Sequence, residues 1–277
     1  MTLYLIKHDL RQGLGRKRYF FLPLLFLLPL GTCYYISKVR QLTGTFPDFL
    51  ISCFAGIGPV EAGGFPPKAA EIPIGWLMSM GGCLYINLDY ILYDLMESGQ
   101  QVIIRTGRRI RWFLSKCLWN ICSCLMMFGI LIVVTALATI ISGGEMSLSR
   151  VTKVGAEVYR GFLDIERTGA LKIWTIGVFI PLLAVMSLSM LEMSLCLFMK
   201  PVFSFLICLS LLGISAYINS PWMIGNGAMG IRLLIFVENG INIWIPVLVS
   251  GVLFAGSIIV GLIRFKKMDI LGDKAGN

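Results

Sequence analysis

The residues best placed for chemistry form a short basic segment, Glu97 to Lys116, within an otherwise apolar chain. Its sequence is ESGQQVIIRTGRRIRWFLSK, in which Glu97 accompanies five cations: Arg105, Arg108, Arg109, Arg111 and Lys116. Two long hydrophobic runs flank the segment, so we expect it to be a loop at a membrane surface. Short loops rich in lysine and arginine stay in the cytoplasm because cations resist translocation. The segment therefore predicts a charged cytoplasmic surface on which a soluble partner can dock.

The composition excludes an ordinary soluble protein. Of the 277 residues, 57% are hydrophobic and 14% are charged, and the mean hydropathy is +0.81. Soluble domains contain about 45–50% apolar and about 25% charged residues. The net charge of +9 suggests nucleic acid at first sight. In a chain with many membrane spans such an excess is typical of positive loops on the inner side, so we expect no nucleic-acid partner.

No catalytic or metal-binding pattern occurs in the sequence. The chain has one histidine, His8, and it contains no His-Glu-x-x-His, Gly-x-Ser-x-Gly or phosphate-loop motif. The eight cysteines lack metal-ligand spacing and are expected to pack as small apolar residues, with a Cys33–Cys53 disulfide left open. We therefore expect no catalytic residue, metal or cofactor in this chain, and any ATPase must be another polypeptide.

The amino-terminal segment, residues 1–15, predicts an interfacial amphipathic helix. Leucine and isoleucine recur on one face, at positions 3, 6, 10 and 14, while Asp9 and Gln12 point away from it. Such a helix lies in the membrane surface, and flanking cations reach the lipid headgroups. The expected anchors to membrane lipid are Lys7, Arg11, Arg16, Lys17 and Arg18.

Hydrophobic runs of about 20 residues mark membrane spans. We predict an all-α, polytopic membrane protein with one transmembrane domain and six spans: 19–36, 72–95, 113–141, 171–199, 202–217 and 241–263. The first run lacks a cleavage site and is expected to be retained. Most of the 24 lysines and arginines fall on one side of this layout, which indicates that both termini are cytoplasmic.

Two connecting segments have patterns of their own. Phe46 to Ile57 is apolar but too short to span, which favours a re-entrant or interfacial segment. Residues 148–165 show helical periodicity, with i,i+4 pairs Lys153–Glu157 and Arg160–Asp164. We expect an amphipathic helix on the outer surface, acting either as a brace or as a cap over a pathway.

Acidic residues inside the predicted spans are candidates for a translocation pathway. Glu192 lies within the fourth span, where a carboxylate is costly and points to function. It either lines a pathway for cationic cargo or, protonated, bonds to a neighbouring helix. Asp89 and Asp94 lie near the cytoplasmic end of the second span and are expected to reach water or an arginine of the basic loop; Asp89 is the second pathway candidate.

The basic loop resembles the loop after the second helix in ABC-type-2 permeases, the membrane subunits of ATP-binding-cassette exporters. In that family the pattern is E-S-G-T, about ten residues, an arginine pair and a lysine that enters the next helix. The matching residues here are Glu97, Ser98, Gly99, Arg108, Arg109, Trp112 and Lys116, whereas Gln100 replaces the threonine and no proline precedes the arginines.

The resemblance implies a specific assembly. In the family this loop is a coupling helix that touches a separate ATPase, so the implied contacts are Glu97, Ser98, Gly99, Arg105, Arg108, Arg109 and Arg111. Two ABC ATPase subunits would carry ATP and Mg²⁺, and a second permease copy, identical or different, would complete the dimer. The implied activity is export of a peptide, drug-like or lipid-like substrate across a cell membrane, in a bacterium.

Two alternative functions stay open. A secondary active transporter would usually carry an internal repeat and more buried ionisable groups, and neither is evident around Glu192. A membrane-embedded enzyme would need a constellation of histidine, aspartate or cysteine at one depth, which a single histidine makes difficult.

Overall fold

A computed structural model describes residues 9–13, 15, 17–58, 73–99, 103, 109–160, 169–235 and 240–268. Helix makes up 77% of the structure and no strand occurs in these ranges, so the predicted all-α class is confirmed. Residues 9–13 form a helical turn. The helices that follow are α1 (Lys17–Val39), α2 (Phe46–Ser52), α3 (Ile74–Asn87), α4 (Tyr90–Asp94), α5 (Arg109–Ser142), α6 (Lys153–Val158), α7 (Ala170–Leu195), α8 (Pro201–Tyr217), α9 (Ile224–Gly227) and α10 (Trp244–Lys267).

Four helices in the described ranges, α1, α5, α7 and α10, are long and apolar enough to cross a membrane. They match the first, third, fourth and sixth predicted spans to within a few residues. Large apolar side chains are exposed on the outer faces of α1, α5 and α10, as expected of surfaces that face lipid. Examples are Leu24, Leu27, Leu125, Val133, Leu137, Leu248, Val252 and Ile259. These properties are those of a membrane protein.

The predicted second span, 72–95, is not a continuous helix. α3 ends at Asn87 and α4 begins at Tyr90, because Asp89 has φ −123° and ψ 8°, outside the helical region. Aspartate and asparagine are poor helix formers, since their side chains bond to groups elsewhere. Here Asp89 accepts two hydrogen bonds from Arg18, which is not an arginine of the basic loop. A π-helical turn, Leu95–Gly99, follows α4.

Helix α7 lies at the centre of the bundle and is the most buried of the four long helices. It packs most extensively against α10 and also contacts α3, α5 and α8. Pro181 cannot donate a backbone hydrogen bond to Gly177, and the helix widens there into a π turn, Thr175–Phe179. A Cβ atom at Gly177 would lie 3.1 Å from Cγ of Leu50, so glycine allows α2 to approach.

Helix α2 lies inside the bundle, with all seven residues buried. A capping box begins it: the backbone N–H of Thr45 donates to Oδ2 of Asp48 at 2.8 Å. Thr152 also donates to Asp48, from its backbone N–H at 3.0 Å and from its hydroxyl at 2.6 Å. Asp48 therefore joins two connecting segments. The open Cys33–Cys53 disulfide is absent, because both thiols are free.

The predicted outer helix over 148–165 is mostly wrong within the described residues. Only Lys153–Val158 is helical, and Arg160 ends it with φ 52°. Glu157 pairs with Arg40 at 3.5 Å and not with Lys153. Val154 is buried, and Tyr159, which follows α6, donates to the carbonyl of Ile51 at 3.1 Å, so this segment packs against α2. Asp164 lies outside the described residues.

Candidate functional site

The candidate site lies at one end of the bundle, where α1 and α5 begin and α10 ends. We call it the basic end, because Lys17, Arg109 and Lys267 lie there. At its centre, Lys116 is fully buried and its ammonium bonds to two carboxylates. The Nζ atom lies 2.5 Å from Oδ1 of Asp9 and 2.7 Å from Oδ2 of Asp94. The Asp9–Lys116–Asp94 cluster thus joins the 9–13 turn, α4 and α5.

Neighbouring groups complete this cluster. The Ser115 hydroxyl donates to Oδ2 of Asp9, and the Tyr90 hydroxyl donates to the backbone carbonyl of Asp9 at 3.2 Å. The Lys116 ammonium lies 4.9 Å from the ring centroids of Tyr90 and Trp112, within cation–π range. Buried charges survive only when paired and hydrogen-bonded. The predicted orientation of Asp9, away from the buried face, is therefore wrong.

Glycines allow the close packing around the cluster. A Cβ atom at Gly13 would lie 1.8 Å from Nε1 of Trp119, so the 9–13 turn packs directly on the α5 indole. A Cβ atom at Gly99 would lie 2.9 Å from the carbonyl oxygen of Asp94 and 3.0 Å from Trp112. Distances under about 3 Å exclude any larger residue unless neighbours shift. Gly99, which belongs to the motif of the basic loop, is thus a packing residue at the cluster.

The other predicted docking residues differ in position and in exposure. Glu97 and Ser98 lie in the π turn after α4, and Arg105 and Arg108 lie outside the described residues. Arg111 is exposed on the first turn of α5. Arg109 has partners within the chain: it donates to the carbonyl oxygens of Lys266 at 3.3 Å and Met268 at 2.8 Å, where α10 ends. Sequence reasoning did not foresee this tie between α5 and α10.

The predicted interfacial anchors also differ in their surroundings. Arg11 and Lys17 are exposed at the basic end, whereas Lys7 and Arg16 lie outside the described residues. Arg18 binds Asp89 through both terminal guanidinium nitrogens, at 2.9 and 2.7 Å. This ion pair joins α1 to the break between α3 and α4, and the role of Asp89 in a pathway stays a prediction.

A layer of buried polar side chains crosses the bundle next to the basic end. The Tyr19 and Ser123 hydroxyls lie 2.7 Å apart, and Ser123 donates to Oδ1 of Asn87 at 2.5 Å. Asn87 and Asn120 each donate to the Ser189 hydroxyl at 2.8 Å. The chain of bonds links α1, α3, α5 and α7. Such networks fix the register of packed helices, since each unpaired member would be costly.

Glu192 lies one turn beyond Ser189 on α7 and is 1% exposed. Neither of its carboxyl oxygens has a hydrogen-bond partner among the residues that the structure describes. The expectation that Glu192 bonds to a neighbouring helix is therefore not met in this conformation. An isolated ionised carboxylate in a dry interior is very unfavourable. Among the buried acidic groups that the structure describes, Glu192 is consequently the one that most needs a proton or a bound cation.

The described residues contain no group of three or more metal-ligating side chains. Comparison with protein-family models gives one match, to proteins described as being of unknown function (DUF2705), over residues 25–271. The chain belongs to the DUF2705 family. No curated protein and no solved structure matches it significantly. The match begins within α1 and runs past the end of α10, so it includes Lys116, Asp94 and Glu192, whereas Asp9 and Arg18 precede it.

Sequence reasoning missed the partnership of Asp9, Asp94 and Lys116. One signal was available: two of the three stand within or beside apolar runs, where charges persist only if paired. The pattern indicates that partners exist but not which residues they are, because they are separated by up to 107 positions. Helix packing decides the pairing.

Proposed function

We propose that this DUF2705 chain is the membrane-spanning permease subunit of an ATP-binding-cassette exporter. Six crossings would be formed by α1, α3 with α4, α5, α7, α8 and α10, with the basic end and both termini in the cytoplasm. A separate ATPase, in two copies, would supply ATP hydrolysis, and a second permease would complete the dimer. The cargo class remains peptide, drug-like or lipid-like.

The observation that carries this proposal is the Asp9–Lys116–Asp94 cluster beside the basic loop. It joins the amino-terminal turn to the helices on both sides of residues 100–108. A force applied to that loop would therefore reach α4, α5 and the amino-terminal turn together. A coupling surface needs this rigidity, because a soluble motor can move spans only through elements that shift as one body.

The topology can be tested by single-cysteine labelling in intact cells. We expect Ser149→Cys and Asn219→Cys to react with a membrane-impermeant maleimide, and Arg111→Cys to react only after permeabilisation. The three positions are exposed, whereas seven of the eight native cysteines are buried and the eighth, Cys122, is half-buried, so background labelling should be low. Labelling of Arg111→Cys in intact cells would invert the proposed orientation.

The docking role predicts that removing cations of the basic loop weakens ATPase binding. We expect retention of the co-purifying ATPase to fall at least about tenfold in a triple variant that combines Arg105→Ala, Arg108→Ala and Arg111→Ala. A loss of about 1.4 kcal/mol in binding free energy corresponds to a tenfold loss of affinity. Glu97→Ala should act in the same direction. Arg109 is spared, because its contacts with Lys266 and Met268 would confound the result.

The matched control removes three exposed cations from the opposite end: Arg40→Ala, Arg150→Ala and Lys153→Ala. It should retain the ATPase at the level of the unmodified chain. Equal retention in both triple variants would refute docking at the basic loop.

The unpartnered carboxylate of Glu192 favours one alternative, a proton-driven secondary transporter. Transport by the purified chain alone, driven by a proton gradient and abolished by Glu192→Gln, would establish that alternative. A membrane-embedded enzyme has no comparable support among the described residues.

A further inference from the structure

A groove on the surface of the bundle runs between α1, α3 and α8. Its volume is about 560 Å³, and its lining is almost entirely apolar, with Leu25, Leu77, Met78 and Leu209 among the contributing side chains. Glycines create the space. A Cβ atom at Gly81 would touch Leu209 at 3.2 Å, whereas one at Gly213 would meet no atom within 4 Å. The groove is therefore an open channel along lipid-facing helices and not a packing defect within the core.

The length of the groove matches one leaflet of a bilayer. Along α3 it extends from Ile74 to Tyr85, and at a rise of 1.5 Å per residue these eleven steps span about 16 Å. The hydrocarbon core of a bilayer is about 30 Å thick, so half of it is about 15 Å. An extended acyl chain of one leaflet has the shape and chemistry to fill the groove.

The end of the groove nearest the basic end is aromatic and cationic. Tyr85 and Phe205 meet edge-to-face, with ring centroids 6.3 Å apart. The guanidinium of Arg18 lies over the Tyr85 ring, 5.4 Å from its centroid. Asp89 engages one N–H on each terminal nitrogen of Arg18, which leaves three of the five guanidinium N–H groups for another acceptor.

A second cation precedes Arg18 in the chain, at the basic end. Lys17, next to Arg18, is exposed and forms no ion pair within the described part of the chain. Because Asp89 neutralises Arg18, the Lys17 ammonium supplies the net positive charge. Tyrosine and basic side chains are the residues that bind headgroups at the bilayer surface.

We propose that the groove between α1, α3 and α8 is a binding site for one anionic phospholipid of the leaflet at the basic end. One acyl chain lies along Gly81 and Gly213, and the phosphate contacts Lys17 and the free N–H groups of Arg18. The site goes beyond the export function, and it requires only that the bundle spans a membrane. It needs no ATPase.

Native mass spectrometry of the purified chain in mild detergent tests the proposal. The probes are phosphatidylglycerol and phosphatidylcholine with identical acyl chains, which differ in net charge. We expect one phosphatidylglycerol to be retained per chain in preference to phosphatidylcholine. Gly213→Leu should abolish this retention, because its side chain fills the groove without a clash at Cβ. The control Gly251→Leu introduces the same side chain where a Cβ atom also meets nothing within 4 Å, on α10, and should bind like the unmodified chain.

The charge contribution is tested separately. Lys17→Gln should weaken phosphatidylglycerol retention about fivefold and leave phosphatidylcholine unaffected, since one cation near a membrane surface contributes about 1 kcal/mol toward anionic lipid. Equal binding of both lipids, or unchanged binding in Gly213→Leu, would overturn the proposal. A third outcome would also overturn the proposal: the unmodified chain retains no lipid but forms a dimer, and Gly213→Leu loses that dimer. This outcome would assign the groove to a second copy of the chain. The lipid site and the export function can fail separately, because Gly213 lies outside the basic loop. Retention of the ATPase by Gly213→Leu therefore tests the export proposal independently of lipid binding.

Discussion

Lys116→Met should lower the free energy of unfolding by about 3–5 kcal/mol, the usual cost of removing one partner from a buried ion pair. The substitution leaves Asp9 and Asp94 as two buried carboxylates that have lost their shared cation. Methionine approximates the length of the lysine stem, so the loss measures charge pairing and not a cavity. We expect the 9–13 turn to detach from α5 as well, because Lys116 and Ser115 both bond to Asp9.

Unfolding in detergent, followed by tryptophan fluorescence, measures this effect, since Trp112 and Trp119 lie at the cluster and are buried. Lys17→Met is the matched control, because Lys17 is an exposed cation at the same end and should change stability by less than about 1 kcal/mol. Combining Lys116→Met with Asp9→Asn and Asp94→Asn should recover much of the loss. If Lys116→Met alone were as stable as the unmodified chain, the cluster would not hold these segments together.

Arg232→Met should destabilise the opposite end of the bundle by several kcal/mol, because it strips hydrogen bonds from buried acceptors, each worth about 1–3 kcal/mol. The buried guanidinium donates to the carbonyls of Ile57 at 3.0 Å, Ser215 at 2.9 Å and Ala216 at 2.6 Å. It also donates to the carbonyl of Gly58 at 3.3 Å and to the side chain of Asn226. Arg232 thereby satisfies the carbonyl end of α8, where a positive charge is favoured.

Burial lowers the pKa of Arg232 to about 10, which leaves the group charged at neutral pH. Lysine cannot reproduce the planar arrangement of donors, so Arg232→Lys should recover only part of the stability. Arg150→Met is the control: its side chain is 71% exposed and its contact with Glu145 is 3.5 Å. Limited proteolysis of the 218–235 connection is the measurement. Equal cleavage rates in Arg232→Met and Arg150→Met would contradict the proposed role.

Hydrophobic length was sufficient to locate most of the bundle. The apolar runs around α5, α7, α8 and α10 each exceed or approach the thickness of a bilayer, and the helices begin and end close to the predicted limits. The break within the second predicted span was not foreseen, because hydropathy averages over a window and does not register a local interruption of a helix. Asn87 and Asp89 disrupt α3 through their side-chain bonds to Ser189 and Arg18, residues far away along the chain.

The candidate site was predicted in part. The sequence singled out the basic loop and Glu192, since charges are conspicuous among apolar residues, and it singled out Gly99 only as part of the motif of that loop. The predicted orientation of Asp9 was wrong, because the amphipathic pattern of residues 3, 6, 10 and 14 predicts that every polar side chain between them faces solvent. A carboxylate turns inward when a buried cation is available to receive it, and that cation, Lys116, comes from a helix more than 100 positions later.

By itself, the sequence determined that this chain is apolar, helical and long enough to cross a membrane several times, because those properties follow from the summed transfer energies of local residues. Only the tertiary structure decided which charges are shared. Lys116 pairs with two carboxylates and Arg18 pairs with Asp89. Arg232 donates to carbonyls of two segments, and neither carboxyl oxygen of Glu192 has a partner among the described residues. Pairing depends on distances of about 3 Å between side chains from separate helices, and such distances are set by packing and not by sequence spacing.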